Sequence, residues 1–177
     1  LLRDHITRPR LTAQLDVSND RPLLLLRAPV GSGKSTLLAE WLGRLSLASG
    51  WVSLDEGDND LERFLSYILA AIRRSFPQGR LATRDLLQSP TLPPLNALVA
   101  SLADDLAQLP EDFVLVLDDY HCITDPQIHD LLQQVLRHPP ERLHLVIATR
   151  AEPPWPLTRL RVRGQVTELR YEDLLFT

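Results

Sequence analysis

Short strand-like segments, most of them uninterrupted apolar runs, alternate with segments of helical periodicity along this chain. The strand-like segments lie at residues 23–28, 51–55, 113–117, 143–148 and 166–169. Strands that alternate with helices form a parallel sheet with helices on both faces, and continuously apolar strands are buried on both sides. We therefore expect an α/β three-layer sandwich around a mostly parallel, five-stranded sheet.

Apolar residues spaced three and four apart predict the helices. The clearest helix covers residues 59–75, where we expect Asn59 to cap the first turn together with Glu62. Residues 76–94 are rich in Pro, Gln, Ser and Thr, and we interpret them as a loop with room for one helical turn. Other helices are expected at residues 34–47, 95–109, 128–136 and 156–163.

A glycine-rich segment joins the first strand to the first of these helices. Residues 28–36 read Ala-Pro-Val-Gly-Ser-Gly-Lys-Ser-Thr, which fits the P-loop (Walker A) pattern except that alanine stands at the first glycine position. In such a loop, backbone N–H groups turn inward around phosphate oxygens, and the helix N-terminus adds partial positive charge. The pattern predicts a nucleotide site, and its candidate residues are Gly31, Ser32, Gly33, Lys34, Ser35 and Thr36.

Lys34 stands out against the composition of the chain. Eighteen of the 19 basic side chains are arginine, and Lys34 is the single lysine. A lysine ammonium is a compact charge on a slim stem, whereas the guanidinium of arginine is a wide, planar fork. A position that keeps lysine against this bias is expected to need that shape, and Lys34 would reach the β- and γ-phosphates.

Two further polar groups follow strand ends. Residues 114–119 read Val-Leu-Val-Leu-Asp-Asp, the pattern of a Walker B strand. We expect Asp118 and the Ser35 hydroxyl to bind Mg²⁺, and Asp119 to orient or deprotonate an attacking water. Arg150 follows the next strand, where an arginine can stabilise the charge of the γ-phosphate. The carboxyl ends of parallel strands share one edge of a sheet, so these groups are expected to converge.

The net charge, the length of the apolar runs and the cysteine count exclude several classes of protein. The formal net charge of −4 does not indicate a general nucleic-acid surface, and no apolar run approaches the roughly 20 residues of a membrane span. The single cysteine, Cys122, excludes an internal disulfide and suits a reducing cytoplasm. Because the chain begins at Leu1 and lacks methionine, we expect residues 1–177 to be one P-loop NTPase domain of a longer protein.

In these motifs the chain resembles the nucleotide-binding domain of the large ATP-dependent LuxR-type regulators, the MalT-like transcription activators of the STAND class of signalling NTPases. The resemblance covers nearly the whole chain. It rests on residues 8–11, 28–36, 51–55, 58–60 with Phe64, 115–121, 148–150, 157–163 and 173–177.

The resemblance implies a switch in which ADP holds the resting form, and ATP with an inducer drives self-association. It also implies slow ATP hydrolysis, and it places Arg8 and Pro9 near the adenine. Members of the family continue into helical, winged-helix, sensor and DNA-binding domains, so a chain of this length would hold the switch core alone. We then expect the fragment by itself to bind no DNA.

Two other functions remain open from the sequence. A P-loop kinase would need a mobile, arginine-rich lid, and residues 159–163, with three arginines, are the only lid-like cluster. A pure binding module would hold nucleotide without turnover, although the tandem acids favour activation of water. His121 follows the acids without the Cys/His spacing of a zinc site, so we interpret it as a hydrogen-bonded loop histidine.

Overall fold

A computed structural model describes residues 9–18 and 20–175. The strands are β1 (Leu23–Arg27), β2 (Ala48–Ser53), β3 (Phe113–Asp118), β4 (Leu143–Thr149) and β5 (Val166–Arg170). They form one sheet in the order β2-β3-β4-β1-β5, and every neighbouring pair is parallel. The predicted α/β architecture with five parallel strands is therefore confirmed.

Helices cover both faces of this sheet. They are α1 (Pro9–Ser18), α2 (Lys34–Arg44), α3 (Leu61–Ser75), α4 (Ala82–Leu87), α5 (Leu95–Ala107), α6 (Pro126–Arg137), α7 (Thr158–Val162) and α8 (Tyr171–Leu174). Leu24 and Leu26 of β1 belong to the apolar layer that contains residues of α1, α2 and α8. Leu23 and Leu25 belong to the opposite layer, with residues of α3, α5, α6 and α7. Both faces of the sheet are thus buried, as continuous apolar strands require.

The start of α3 differs from the prediction. The helix begins at Leu61, and the carboxylate of Asp60 caps it by accepting a hydrogen bond from the backbone N–H of Arg63 at 2.8 Å. The expectation that Asn59 caps this helix is wrong, because the Asn59 side chain is engaged by a different part of the chain. Its Nδ2 donates instead to the carbonyl of Cys122, beyond the end of β3, at 2.9 Å.

Other element boundaries also shift. β2 begins at Ala48, three residues before the predicted strand, and α7 begins at Thr158 rather than at residue 156. The loop predicted over residues 76–94 contains α4, which is longer than a single turn. Two helices, α1 and α8, have no counterpart in the sequence prediction. No helix in the described part of the chain is both long and apolar enough to cross a membrane.

The strand order determines where polar residues meet. β4 lies between β3 and β1, so the carboxyl ends of these three strands are neighbours at one edge. The glycine-rich loop follows β1. Asp118 ends β3 and Asp119 follows it, while Thr149 ends β4 and Arg150 follows it. The backbone N–H of Ala28 donates to the carbonyl of Thr149 at 3.1 Å, which ties the start of the loop to the end of β4. The site is built at this edge.

Candidate functional site

Two glycines in left-handed conformation shape the loop between β1 and α2. Gly31 has a φ of 75°, and Gly33, which precedes the first residue of α2, has a φ of 83°. A Cβ added at Gly31 would meet nothing within 4 Å, so the requirement there is conformational rather than one of space. Ala28 does not have a positive φ, which explains how alanine fits where the pattern has its first glycine.

The Lys34 ammonium lies inside this loop. Its Nζ donates hydrogen bonds to the carbonyls of Ala28 at 2.5 Å and Pro29 at 2.8 Å, and the side chain is almost fully buried. Burial lowers the pKa of Lys34 below its ordinary value, while the carboxylates of Asp118 and Asp119 act in the opposite direction. The loop therefore surrounds a positive charge that is held by backbone oxygens and lies close to two acids.

The first residue after Lys34 contacts the end of β3. The Ser35 hydroxyl donates to Oδ2 of Asp118 at 2.8 Å, although 83 positions separate the two residues in sequence. Oδ1 of Asp118 accepts from the backbone N–H of Asp119 at 2.9 Å, so both oxygens of this buried carboxylate are engaged. Ser35 and Asp118 thus present two oxygen atoms side by side at the mouth of the loop.

Asp119 has an unusual backbone. Its φ of 57° and ψ of 40° lie in the left-handed region, and no other non-glycine residue in the described ranges has a positive φ. Aspartate tolerates this region better than most residues, but the conformation still costs about 1 kcal/mol. A 3₁₀ turn (Tyr120–Cys122) follows at once, closed by the backbone N–H of Cys122 donating to the Asp119 carbonyl at 3.0 Å. The backbone therefore turns sharply directly after Asp118.

The turn after the acids is anchored on both sides. Tyr120 is buried, and its hydroxyl forms a 2.7 Å hydrogen bond with Nδ1 of the buried His129 in α6. Nδ1 of His121 accepts from the backbone N–H of Arg150 at 3.3 Å, which joins the ends of β3 and β4. Burial, and next the charge of Arg150, lower the pKa of His121. His121 is thus a hydrogen-bonded loop histidine, in agreement with the prediction.

At the end of β4, a buried residue is followed directly by an exposed one. Thr149 is fully buried, and its hydroxyl donates to the carbonyl of Ala151 at 2.7 Å. Arg150 is exposed, while its charge acts on the pKa of both Lys34 and His121. A cationic side chain therefore lies at the same edge as the loop and the acids.

The architecture and the loop together correspond to a known family. The AAA ATPase domain family matches residues 6–148, which include the loop and both acids. The chain belongs to this AAA ATPase domain family.

Relatives of this AAA ATPase domain are bacterial regulators. The HTH-type transcriptional regulator MalT of Klebsiella pneumoniae subsp. pneumoniae is 41% identical over 177 residues, and MalT of Cronobacter sakazakii is 40% identical. Each alignment covers 99% of this chain but only 19% of the relative. The resemblance to the nucleotide-binding domain of MalT-like regulators is confirmed, and the chain spans about a fifth of the length of these proteins.

Solved structures share the fold of the AAA ATPase domain. A STAND protein with a tetratricopeptide repeat sensor from Pyrococcus horikoshii matches with a TM-score of 0.61 and 15% identity, over 96% of this chain and 24% of that one. Cdc6p from Pyrobaculum aerophilum matches with a TM-score of 0.60 and 18% identity, over 95% and 46%. At such low identities the likeness concerns the fold.

Four further residues of the AAA ATPase domain are predicted to contact the nucleotide, namely Arg8, Pro9, Ser32 and Thr36. Arg8 lies outside the described residues, and Pro9 is the exposed first residue of α1. The Ser32 hydroxyl donates to the carbonyl of Pro29 at 2.8 Å, within the loop itself. Thr36 is exposed in the first turn of α2, and within the described ranges no group of three or more His, Cys, Asp or Glu residues could hold a metal alone.

Proposed function

We propose that this domain binds ATP or ADP with Mg²⁺ and is the switch domain of a signal-responsive bacterial transcription regulator, with slow ATP hydrolysis resetting the switch. The observation that carries the proposal is the 2.8 Å contact between the Ser35 hydroxyl and the Asp118 carboxylate. A hydroxyl at the start of α2 and a carboxylate at the end of β3 are the two protein oxygens with which P-loop NTPases hold Mg²⁺.

The donor set suits Mg²⁺. This ion prefers hard oxygen ligands and usually keeps several waters and substrate phosphate oxygens, so one or two protein ligands are enough. Ser35 is exposed and Asp118 lies directly beside it, which leaves room for phosphate and water on the outer side. In this proposal Ser35 and Asp118 would hold the metal, which when bound would neutralise charge on the phosphates.

The loop would bind the phosphates. The N–H groups around Gly31 and Gly33 and the start of α2 favour an anion, and Lys34 would exchange its two carbonyl partners for β- and γ-phosphate oxygens. The roles of Ser32 and Thr36 as further nucleotide contacts rest on the P-loop pattern, and those of Arg8 and Pro9 rest on the family resemblance.

Asp119 and Arg150 would act on the γ-phosphate. Asp119 follows the metal-binding acid, and its partly exposed carboxylate is free to orient or deprotonate a water. Arg150 would stabilise charge that develops on the phosphate oxygens. A kinase is less favoured, because Arg161 of the lid-like cluster is held by Glu152 at 2.9 Å and Glu168 at 2.7 Å.

The regulator part of the proposal rests on the MalT relatives. Since the chain covers 19% of their length, residues 1–177 would be the switch core of a larger cytoplasmic protein. Inducer binding, self-association and promoter DNA binding would then involve the whole protein, and this domain alone would bind no DNA. In that protein, the role of this domain would be to respond to which nucleotide, ATP or ADP, is bound.

Phosphate release tests the proposal. ATP, Mg²⁺ and the protein are incubated in single-turnover amounts, and free phosphate is measured against a reaction without Mg²⁺. Slow, Mg²⁺-dependent release without transfer to a small acceptor is the expected result. Tight ADP binding with no release at all would leave a binding module, and transfer to an added acceptor would favour a phosphotransferase.

A further inference from the structure

Asn59 has all of its amide hydrogen-bonding capacity engaged by backbone groups. Its Nδ2 donates to the carbonyls of Glu56 at 3.1 Å and Cys122 at 2.9 Å. Its Oδ1 accepts from the N–H groups of Thr124 at 2.6 Å and Asp125 at 3.0 Å. A carboxamide has two N–H donors and an oxygen with two lone pairs, so this set saturates it. Asn59 has no capacity left for a ligand and can act only through the segments that it joins.

The segment that carries Asn59 is itself well fixed. Asp58 is buried, and its Oδ2 accepts from the backbone N–H of Asp55 at 2.8 Å. Its Oδ1 lies 3.3 Å from Nε of Arg63 in α3. The Asp55 carboxylate accepts in turn from the N–H of Gly57 at 2.7 Å. Asn59 is therefore held between a rigid 3₁₀ turn (Glu56–Asp58) and the start of α3.

Three of the four contacts of Asn59 fall on the loop that follows the acids. They bind one side of this loop, at Cys122, Thr124 and Asp125, while β3 fixes the other side. Between these points lie the left-handed Asp119, whose carbonyl accepts from the N–H of Cys122, and His121. A residue in a sparsely populated conformation persists only when its surroundings determine it. Asn59 is one of the groups that fix this loop, together with the hydrogen bonds of Tyr120 and His121.

We propose that Asn59 is a positioning residue that holds the loop after β3, so that Asp119 keeps its left-handed conformation and His121 stays against the backbone of Arg150. The inference rests on the proposed function, in which Asp119 and Arg150 act on the γ-phosphate. It assigns a role to the segment between β2 and α3, which contains neither of the proposed metal ligands. Loss of the four hydrogen bonds of Asn59 should slow hydrolysis and leave nucleotide binding largely intact.

The test compares two variants with a matched control. Asn59→Ala removes all four contacts, whereas Asn59→Asp keeps an acceptor for Thr124 and Asp125 and removes both donated hydrogen bonds. Asn96→Ala is the control, because the Asn96 side chain is exposed at the start of α5 and only accepts from the N–H of Ala97. Amide hydrogen exchange, ADP affinity with Mg²⁺ and single-turnover phosphate release are measured for each protein.

We expect Asn59→Ala to speed exchange at the Thr124 and Asp125 amides at least about fivefold, since each amide loses a hydrogen bond to Oδ1 that contributes about 1 kcal/mol. The acceleration should extend to the N–H groups of Cys122 and Arg150, which donate to Asp119 and His121 and not to Asn59. Phosphate release should fall about tenfold or more through misplacement of the acids, while ADP affinity stays within about threefold. Asn59→Asp should impair the loop no less than Asn59→Ala, because its second carboxylate oxygen would face the carbonyls of Glu56 and Cys122, and Asn96→Ala should match wild type.

The outcomes separate this inference from the proposed function. Faster exchange confined to Thr124 and Asp125, unchanged phosphate release, or an equal loss of ADP affinity would overturn the positioning role. If the wild-type protein releases no phosphate, the proposed hydrolysis fails. Exchange at the Cys122 and Arg150 amides then still decides whether Asn59 orders the loop: acceleration supports the inference and its absence overturns it.

Discussion

Replacement of Lys34 by alanine should weaken Mg²⁺-ADP binding by a predictable amount. In the structure the ammonium donates to the carbonyls of Ala28 and Pro29, so nucleotide binding exchanges these neutral acceptors for charged phosphate oxygens. The net gain is the difference between the two sets of contacts. A hydrogen bond to a charged group contributes about 1.5–3 kcal/mol, and about 2 kcal/mol corresponds to a roughly 30-fold change in Kd.

Isothermal titration calorimetry with ADP and Mg²⁺ measures this change. Arg74→Ala is the matched control, because it removes one positive charge from an exposed position on α3. Lys34→Met keeps most of the apolar stem and should lose as much affinity as Lys34→Ala if the charge is what matters. An affinity of Lys34→Ala within about threefold of wild type would refute the assignment of the loop as the phosphate site.

Three further predictions follow from the site and its surroundings. Asp118→Asn should weaken Mg²⁺-dependent ATP binding, whereas Asp119→Asn should keep affinity and slow single-turnover hydrolysis by roughly tenfold to a thousandfold; equal loss of nucleotide in both variants would contradict this division. The domain alone should give no salt-resistant, sequence-specific gel shift with DNA, and such a shift would overturn the proposed dependence on other domains. Burial lowers the pKa of His129, so below about pH 6.5 the unfolded chain binds more protons than the folded one. The melting temperature should therefore stay constant above that pH and decrease below it. The decrease should be smaller in His129→Gln.

The strands could be predicted because their signal is local. Burial on both faces forces every residue of β3 to be apolar up to Asp118, and the sequence displays this directly. β2 is different, since it is an edge strand and its first residues, Ala48 to Gly50, are small or polar. A Cβ added at Gly50 would lie 2.9 Å from the ring of Phe113. The absence of a side chain at Gly50 thus lets this part of β2 lie close to Phe113 of β3. This contact is visible only in the tertiary structure, so the sequence alone did not predict that β2 begins at Ala48.

The errors in the predicted helices also come from tertiary contacts that leave no local sequence pattern. α4 lies in a segment that looks like a loop, because the carboxylate of Asp105 in α5 accepts from the N–H groups of Ala82 and Thr83 at 2.9 Å each. This cap comes from more than 20 residues away and leaves no local pattern. At α3, Asn59 and Asp60 are both good caps by propensity. The carboxylate of Asp60 can only accept, which suits a helix start, whereas the amide of Asn59 also donates to the loop after β3.

The convergence of the site residues follows from the pattern, but their detailed geometry does not. Strand ends that share one edge bring Ser35 and Asp118 within reach, and the structure has them in contact. The left-handed conformation of Asp119 leaves no trace in residue types, because aspartate is common in every kind of turn. The roles assigned to the individual residues in binding and hydrolysis remain predictions.

The solitary, buried lysine gives this domain a chemical handle. Among the 177 residues, Lys34 carries the only side-chain amine, and burial lowers its pKa, which increases the fraction of the nucleophilic, uncharged amine. An acylating reagent directed at amines therefore has one side-chain target here, at the centre of the loop. A phosphate group seated over that nitrogen would shield it. Because the N-terminal amine reacts as well, the mass of the peptide that contains Lys34, with or without an added acyl group, would then report occupancy of the loop.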